Sequence, residues 1–258
     1  IAIEELGKVC PSTGATMMAH TSLGTAPIVL FGTEEQKEQY LPSLASGQKI
    51  GAFGLTEPNA GSDAGNTQTK AILEGNEYIV NGEKTFCTNA GEADVIIFTA
   101  VIVEQGEEQG ISAFVIDADT EGFSLSLPEK KMGWRGSDTR SVFFKDMHIP
   151  KSTVLGNPSK GFKQFLRTLT GGRITIGALG LGTAQGAFAR ALAYSQEREA
   201  FGKSINKFQG VSFKLSDMAT QIEAARHLVY YAAWKKDQGL PVIREAAMAK
   251  LFSSETAM

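Results

Sequence analysis

The sequence predicts an α+β protein in which a helical segment precedes a β-domain and a second helical region follows. Apolar residues recur at helical spacing before residue 48. Short β-rich runs alternate with turn residues between 49 and 157, and the helical period returns from about Ser159 onward. We therefore expect an end of an N-terminal helical domain at 1–48, a β-domain at 49–157 and an incomplete C-terminal helical domain at 158–258.

The first region has the residues that start and support helices. IAIEELGKV at its beginning is amphipathic, and SLGTAPIVLF is an apolar run that ends at Gly32. Thr33 is placed to cap the next helix, and Glu34 and Glu35 fall in its first turn, where acidic residues suit the helix dipole. The chain starts at Ile1 within a helical pattern and finishes KLFSSETAM without a stop signal. We expect both ends to be cuts through structure.

The middle region is predicted to consist of short strands. AILEGNEYIVNGEKTF contains Gly75-Asn76 and Asn81-Gly82 between strand-like runs, and Asn-Gly is a strong hairpin signal. Further strands are predicted over 93–103, with a buried pattern, and over 111–117 and 139–150. This spacing of short strands favours an antiparallel barrel or sandwich.

The last region predicts a helical bundle. Apolar residues at spacings of three and four form an unbroken heptad seam, which is typical of a long packed helix. Its members are Phe208, Val211, Leu215, Met218, Ile222, Ala225, Val229 and Ala232. Gly239 and Pro241 then predict the end of this helix and the start of another.

Composition excludes several classes of function. The 258 residues carry a formal net charge of −3, which does not favour nucleic-acid binding through bulk charge. Two cysteines form no disulfide framework, and three histidines share no metal-ligand spacing, so we expect a reducing compartment and no metal site. No apolar run is long enough to predict a membrane span.

Two glycine-bearing segments each allow two interpretations. RITIGALGLGTAQGAFARAL (173–192) resembles a dinucleotide-binding turn, but no second strand ending in an acid follows it, so a glycine-rich helix packed closely on its neighbours is favoured. GLTEPNAGSDAG (54–65) follows a strand-like run. It can form a concavity of backbone N–H groups for an anion, or a turn capped by Asn59, Ser62 and Asp63.

Five collinear segments resemble the acyl-CoA dehydrogenase family. They are GLTEPNAGSDAG (54–65), KTFCTNAGEAD (84–94), KMGWRGSDTRSVFFKDMHIP (131–150), GFKQFLRTLTGGRI (161–174) and EREAFGKSINKFQGVSFKLSDMATQIEAAR (197–226). The resemblance covers essentially the whole chain and is nearest to the short-chain, butyryl-type branch. It implies a flavoenzyme of fatty acid β-oxidation.

The resemblance implies an FAD site shared between subunits. The implied cofactor-binding residues are Phe53, Leu55, Thr56, Gly61, Ser62, Phe86, Cys87, Thr88, Arg198, Phe201 and Gln209. Thr56 is implied to bond the pyrimidine end of the flavin, Ser62 to lie between the FAD pyrophosphate and CoA, and the Thr88 hydroxyl to lie near flavin N5. Arg198 and Gln209 are implied to reach the FAD of a neighbouring subunit, since a guanidinium can bind a pyrophosphate through two hydrogen bonds.

The implied contacts to the acyl-CoA substrate involve a second set of residues, and the sequence departs from the family at two positions. The implied substrate-binding residues are Ser62, Ser137, Thr170, Gly171, Gly172 and Arg173. Thr170 stands where the family usually has an aspartate that accepts hydrogen bonds from CoA. Phe86 stands where it usually has a tryptophan, which keeps an aromatic ring but removes an indole N–H.

The implied reaction is α,β-dehydrogenation of an acyl-CoA thioester, in which a carboxylate removes the α-proton while a hydride passes to the flavin. We expect that glutamate beyond Met258, because Gly172 occupies its alternative family position. Glu57 lies in the flavin loop, but a structural role as a local cap or ion-pair partner is favoured. We assign no catalytic residue within the chain and expect it to be inactive alone.

The resemblance also implies partners and leaves alternatives. Electron-transferring flavoprotein is the implied electron acceptor, and a homotetramer is the implied assembly. The implied compartment is the cytoplasm in a bacterium or the mitochondrial matrix in a eukaryote. The alternatives are an acyl-CoA oxidase, which passes electrons to oxygen, and a non-catalytic fragment that binds flavin or acyl-CoA.

Overall fold

The structure is a computed structural model that describes residues 1–258. The chain divides into two compact units. The first unit comprises Ile1–Met18 together with Thr170–Met258, and the second comprises Ala19–Leu169. The first consists of helices and one short β-hairpin, and the second combines helices with a β-sheet.

Helices form the first part of the chain, as predicted. They are α1 (Ala2–Val9), α2 (Pro11–Ala19), a π-helical turn (His20–Thr25), α3 (Ala26–Phe31) and α4 (Glu34–Ser46). Thr33 caps α4 through a capping box: its hydroxyl accepts from the backbone N–H of Gln36 at 3.2 Å, and its own N–H donates to the Gln36 side chain at 3.1 Å. The predicted cap is therefore confirmed.

The second unit contains an eight-stranded sheet. Its strands are β1 (Gly51–Gly54), β2 (Lys70–Glu74), β3 (Glu77–Thr88), β4 (Val95–Glu104), β5 (Glu107–Asp117), β6 (Phe123–Leu125), β7 (Thr139–Pro150) and β8 (Val154–Leu155). The sheet order is β6-β7-β3-β2-β4-β5-β8, and β1 pairs with β4. The Gly75-Asn76 turn joins β2 to β3, and β7 has the predicted bounds, so both predictions are confirmed.

Of the predicted antiparallel barrel or sandwich, the sandwich fits the observed sheet, but the sheet is not a closed barrel and its antiparallel pattern is incomplete. Both β1 and β2 run parallel to β4: β1 pairs with its residues 95–98 and β2 with 101–103. The other side of β4 pairs with β5, so β1 and β2 follow one another along the same edge of β4. The chain between them, Leu55–Thr69, leaves the sheet as a loop.

The Asn81-Gly82 dipeptide is not a hairpin turn, which corrects the prediction made from its sequence. It lies inside β3, at a shift in register against β7. The Asn81 amide bonds across to Asp146, and a Cβ at Gly82 would lie 2.7 Å from the Cα of Thr69. Gly82 has φ +148°, so glycine serves a β-bulge and a close backbone approach here rather than a reversal of the chain.

The core of this unit lies on both faces of β4, whose residues Val95–Val103 are all buried as predicted. On one face Phe98 stacks on Phe144 with ring centroids 4.4 Å apart. On the other face Ile97 belongs to a cluster with Ile28 of α3. A strand buried on both faces has a nearly continuous apolar sequence, which explains the pattern.

The first unit contains α5 (Gly161–Glu197, which begins in the second unit), a short hairpin β9 (Glu199–Ala200) and β10 (Lys203–Ser204), α6 (Gln209–Asp237) and α7 (Ile243–Thr256). The glycine-rich segment is helical, as favoured over a nucleotide-binding turn. Gly239, with φ +68°, follows the end of α6, and α7 begins after Pro241. No helix in the structure has the length and apolar character needed to cross a bilayer.

The predicted α6 seam is fully buried only in its second half. Ile222, Ala225, Val229 and Ala232 are buried, whereas the apolar positions before Ile222 are half-buried. The spacing predicted the helix correctly, but it could not reveal that its first half has fewer neighbours within this chain.

Candidate functional site

The loop Leu55–Thr69 returns to the sheet beside the second half of β3. The backbone N–H of Thr85 donates to the carbonyl of Thr56 at 2.7 Å. Gly54, just before the loop, fits tightly against β3, because a Cβ there would lie 3.0 Å from Lys84 Cγ and 3.3 Å from Cys87 Sγ. The structure thus places Thr56 beside the strand that carries the predicted flavin residues Phe86, Cys87 and Thr88.

Glu57 fastens the base of this loop. Its carboxylate accepts from the backbone N–H of Gln68 at 2.6 Å and of Thr69 at 3.1 Å, at the far end of the loop. It also accepts from the Lys84 ammonium at 2.6 Å. The structural interpretation of Glu57 is therefore confirmed, although its partners lie far along the sequence rather than locally.

The Glu57–Lys84 ion pair is almost completely buried, with side-chain exposures of 3% and 0%. Burial opposes ionisation of Glu57, but the Lys84 charge and the hydrogen bonds outweigh it and lower the pKa of this carboxyl. Burial also lowers the pKa of Lys84, against the opposing effect of Glu57. Lys84 was missed from the sequence, because a single lysine in a strand gives no sign of burial.

Three consecutive residues at the tip of the loop have free backbone donors. Gly61, Ser62 and Asp63 are exposed, and no hydrogen bond within the chain engages their N–H groups. The turn before them is closed instead by reciprocal backbone hydrogen bonds between Glu57 and Ala60, at 3.2 and 3.1 Å. Since the side chains of Ser62 and Asp63 make no capping hydrogen bond, the geometry favours the anion-binding interpretation over the capped turn.

A β-bulge in β3 places an aromatic ring in solvent. The register against β7 shifts between Lys84 and Cys87, and Phe86 at the shift has φ +58° and a relative exposure of 64%. A bulky residue at positive φ is strained, and such strain is frequent at functional sites. Thr88 is half-buried at the end of the strand.

Cys87 and two residues near the loop point into the protein. The Cys87 thiol is buried, and burial raises its pKa to about 12. The ring of Phe53 stacks on Phe165 with centroids 4.3 Å apart, and Leu55 packs against the same cluster. These predicted cofactor residues can therefore contribute through their backbone or by supporting the site from within.

Ser137 is buried next to the end of β3. Thr88 pairs with Thr139, two residues after Ser137, and the Asn89 N–H donates to the Asp138 carbonyl at 3.0 Å. Lys131 donates to the Ser137 carbonyl and, at 2.7 Å, to the Thr139 hydroxyl. Lys131 thus organises this segment.

The first unit carries the predicted substrate residues of α5. Arg173 is half-buried, and its guanidinium has no hydrogen-bond or ion-pair partner within the chain. Thr170 and Gly171 lie one turn earlier, and a Cβ at Gly171 would lie 3.0 Å from the Lys236 ammonium. Gly172 is buried. Lys236, which sequence reasoning missed, places a second cation near this turn of α5, where only long-range packing of α6 could have revealed it.

The third set of predicted residues surrounds the β9–β10 hairpin of the same unit. Arg198 is exposed, and its carbonyl accepts from the Ile205 N–H at 2.8 Å, which closes the hairpin. Phe201 at the hairpin turn has φ +53° and is 96% exposed. Gln209 is exposed at the start of α6. A free guanidinium and an exposed aromatic ring on one short hairpin are groups suited to an anionic aromatic ligand.

Residues of the chain do not form a metal centre, since no group of three histidine, cysteine or acidic side chains is arranged to hold an ion. The arrangement in the second unit instead combines free backbone donors, hydroxyls and an exposed ring. Those groups can bind an anion and an adjoining planar ring system.

Three family models match the chain in order. The acyl-CoA dehydrogenase N-terminal domain matches residues 1–48, the middle domain matches 52–147, and the C-terminal domain matches 159–258.

Known proteins show the same relationship over the whole chain. The chain is 53% identical to a probable acyl-CoA dehydrogenase, YngJ, of Bacillus subtilis over 258 residues, which is 100% of this chain and 68% of that protein. A structure from work on the electron transferring flavoprotein of Acidaminococcus fermentans matches at 50% identity and a TM-score of 0.96, covering 99% of this chain and 67% of that one. The butyryl-CoA dehydrogenase of Megasphaera elsdenii matches at 47% identity and a TM-score of 0.95, with the same coverage. The chain belongs to the acyl-CoA dehydrogenase family.

Proposed function

We propose that this protein takes part in the FAD-dependent α,β-dehydrogenation of a short-chain acyl-CoA thioester to the 2-enoyl-CoA. The observation that carries the proposal is the loop Leu55–Thr69 held against the β3 bulge at Phe86, in a chain that belongs to this family. The likeness to a butyryl-CoA dehydrogenase supports the short-chain substrate.

The residues of the second unit fit FAD. Its pyrophosphate is anionic, and the free N–H groups of Gly61, Ser62 and Asp63 are the donors that such a group needs. Its isoalloxazine is a planar aromatic system, and Phe86 offers an exposed ring while Thr56 and Thr88 offer hydroxyls. When bound, FAD supplies the hydride acceptor of the reaction.

The residues of the first unit fit the anionic part of CoA. Arg173 and Lys236 are cations without an acidic partner, and both lie near the same turn of α5. Thr170 brings no negative charge to this turn. We propose that Arg173 binds a CoA phosphate and that Thr170 contributes at most a neutral hydrogen bond.

Proton abstraction requires a carboxylate that faces the substrate, and Glu57 does not meet this requirement. Its side chain is 3% exposed, and its oxygens are engaged by Lys84, Gln68 and Thr69. We therefore exclude Glu57 as the base and assign no other base among these residues.

The experiment is to titrate the purified protein with FAD and then with butyryl-CoA, following the visible flavin spectrum. We expect FAD to bind and butyryl-CoA to perturb its absorption more strongly than octanoyl-CoA at equal concentration. Absence of FAD binding would refute the proposal. Because no base is assigned, we expect butyryl-CoA not to bleach the flavin of the 258-residue chain at an enzymatic rate. Rapid bleaching would show that the base assignment is wrong.

We further propose that the β9–β10 surface completes the FAD site of another subunit in a homotetramer. The free guanidinium of Arg198 and the exposed side chains of Phe201 and Gln209, which follow it in the hairpin and at the start of α6, support this proposal. Arg198→Ala is expected to lower the FAD content of the purified oligomer. Arg190→Ala, which removes an exposed arginine from α5, is the matched control. Equal FAD content in the two variants would contradict the proposed contact.

Electron-transferring flavoprotein is the proposed electron acceptor, and the likeness to a structure from work on such a protein supports it. Comparing reoxidation of the reduced flavin by that flavoprotein and by dioxygen tests the choice. Faster reoxidation by dioxygen would favour an acyl-CoA oxidase instead.

A further inference from the structure

We propose that the buried pair Glu57–Lys84 is a positioning pair for the proposed FAD site, which fixes Thr56 and the Gly61–Asp63 tip in the conformation that receives the cofactor. Neither side chain is exposed enough to touch a ligand, so both act through the loop that they hold. The inference rests on the proposed function and goes beyond it by naming what shapes the site.

Glu57 connects the two ends of its loop. It lies near the start of Leu55–Thr69, yet its carboxylate binds the N–H groups of Gln68 and Thr69 at the other end. One side chain therefore closes the loop. Its backbone also pairs with Ala60, which fixes the turn directly before Gly61.

Lys84 connects Glu57 to the sheet. Its ammonium donates to Glu57 at 2.6 Å, to the Thr99 hydroxyl of β4 at 3.0 Å and to the Leu55 carbonyl at 3.5 Å. It thus joins the loop to the centre of the sheet. The next residue, Thr85, donates to the Thr56 carbonyl, so one segment of β3 holds both the closed loop and the residue proposed to contact the flavin.

The charges of Glu57 and Lys84 serve the shape of the loop rather than the stability of the core. A buried ion pair is weak evidence for stability, because apolar residues of similar volume often stabilise a core as well or better. Unlike apolar residues, the Glu57–Lys84 pair makes a set of directed hydrogen bonds. Here those bonds converge on one loop, and that loop carries the free backbone donors of the proposed site.

The test uses three variants of the purified protein and a matched control. Glu57→Gln and Lys84→Met each leave one partner unpaired, whereas the double variant Glu57→Gln/Lys84→Met removes both charges and is expected to regain most of the lost stability. The control Lys70→Met makes the same substitution in the same sheet, where Lys70 forms an exposed ion pair with Glu108 at 3.2 Å.

We expect the double variant to fold but to bind FAD about tenfold more weakly than the wild type. The amide that replaces the Glu57 carboxylate has one acceptor oxygen for two N–H groups, and the thioether that replaces the Lys84 ammonium cannot donate to Leu55 or Thr99. We also expect a shifted visible band of the flavin at saturating FAD, and faster hydrogen exchange at the Gln68 amide. Lys70→Met should match the wild type in all three measurements.

Two negative outcomes are distinguishable. A folded double variant with wild-type FAD affinity and an unchanged flavin band would overturn the positioning role while the proposed function stands. A wild-type protein that binds no FAD would overturn the proposed function, and the inference with it.

Discussion

Replacing Gly182 by alanine tests whether the glycines of α5 exist to admit another helix. A Cβ at Gly182 would collide with the carbonyl oxygen of Glu4 and lie 2.9 Å from its carbonyl carbon. A Cβ at Gly186, one turn later, would likewise collide with the carbonyl oxygen of Lys8 in α1 and lie 2.9 Å from its carbonyl carbon. The two glycines thus let the backbones of α1 and α5 touch, and a methyl group has no space there.

The size of the effect follows from two opposed terms. Alanine in a helix interior is favoured over glycine by about 1 kcal/mol, whereas overpacking a core costs about 1–3 kcal/mol and occasionally more. Helix α1 cannot move away freely, because the buried Glu4 carboxylate accepts from Gln185 at 2.9 Å, Arg226 at 2.8 Å and Tyr230 at 2.9 Å. We therefore expect the overpacking cost to exceed the helix-propensity gain and the unfolding free energy to fall by up to about 2 kcal/mol.

The assay uses the two tryptophans of the chain, one in each compact unit. Trp134 belongs to the second unit and Trp234 to the first, so a Trp134→Phe background leaves Trp234 to report unfolding of the helices that surround Gly182. Urea titration followed by its fluorescence gives the midpoint and slope for each variant.

Gly210→Ala is the control, because Gly210 lies in α6 and a Cβ there would have no atom within 4 Å. We expect this substitution to be neutral or stabilising by up to about 1 kcal/mol. If Gly182→Ala also stabilised the protein, the close approach of α1 and α5 would be refuted as the reason for the glycines.

Three further predictions concern individual residues. A thiol reagent should label the exposed Cys10, whose pKa is lowered by hydrogen bonds from Thr13, and should not label Cys87 of the folded protein, whose thiol is buried. Mass spectrometry of the labelled peptides measures the two extents of labelling, and equal labelling of both cysteines would contradict the prediction. Since the folded pKa of Glu57 lies below its ordinary value of 4.5, its ionised form adds stability above that pH, and this stability is lost as pH falls through the folded pKa. The unfolding free energy of the wild type should therefore fall more steeply below about pH 4.5 than that of Glu57→Gln, and parallel curves would show that Glu57 adds no acid dependence. Phe86→Gly should relieve the strain of the positive φ, so the unfolding free energy of the apoprotein should be unchanged or up to about 1 kcal/mol higher, as measured by calorimetry. FAD titration should show a lower affinity, because the exposed ring is lost. A loss of stability together with the loss of FAD affinity would indicate a structural role for Phe86.

Features that depend on neighbouring residues were predictable from the sequence. The capping box of Thr33 and Gln36 needs only residues three apart, and the Gly75-Asn76 turn needs only two flanking strands. The glycine-rich helix α5 was favoured because no second strand followed it. In each case the chemistry that decides the local structure lies within a few residues.

Features that depend on strand pairing were not predictable. Asn81-Gly82 has the composition of a hairpin turn, but the pairing of β3 with β7 places it within a strand, where Gly82 admits Thr69. The parallel pairs of β4 arise because the chain leaves the sheet after Gly54 and rejoins it at Lys70 along the same edge. A single sequence shows strand periodicity but not which strands are neighbours.

The same difference between local and long-range features applies to the candidate site. The loop and the residues around Phe86 could be indicated by a family resemblance, because they lie in short motifs. Lys84 begins one of those motifs, but its burial and its pairing with Glu57 could not be read from the motif, because distant segments set them. The position of Lys236 beside α5 likewise depends on the packing of distant segments. The roles proposed for the cofactor and substrate residues stay predictions that the variants above test.

The position of Lys84 explains how a sheet can accommodate such a loop at its centre. Along β4, Phe98 pairs with the last residue of β1 and Val101 with the first residue of β2, so Thr99 and Ala100 face the place where the ladder is interrupted. The Lys84 ammonium reaches the Thr99 hydroxyl at that place and connects it to Glu57 of the loop. A methionine there would fill the volume but leave the Glu57 carboxylate buried without a counterion. The charged pair thus bonds backbone groups at both ends of the loop, namely the Leu55 carbonyl and the N–H groups of Gln68 and Thr69. An exposed loop with free backbone donors is thereby compatible with a fully buried strand.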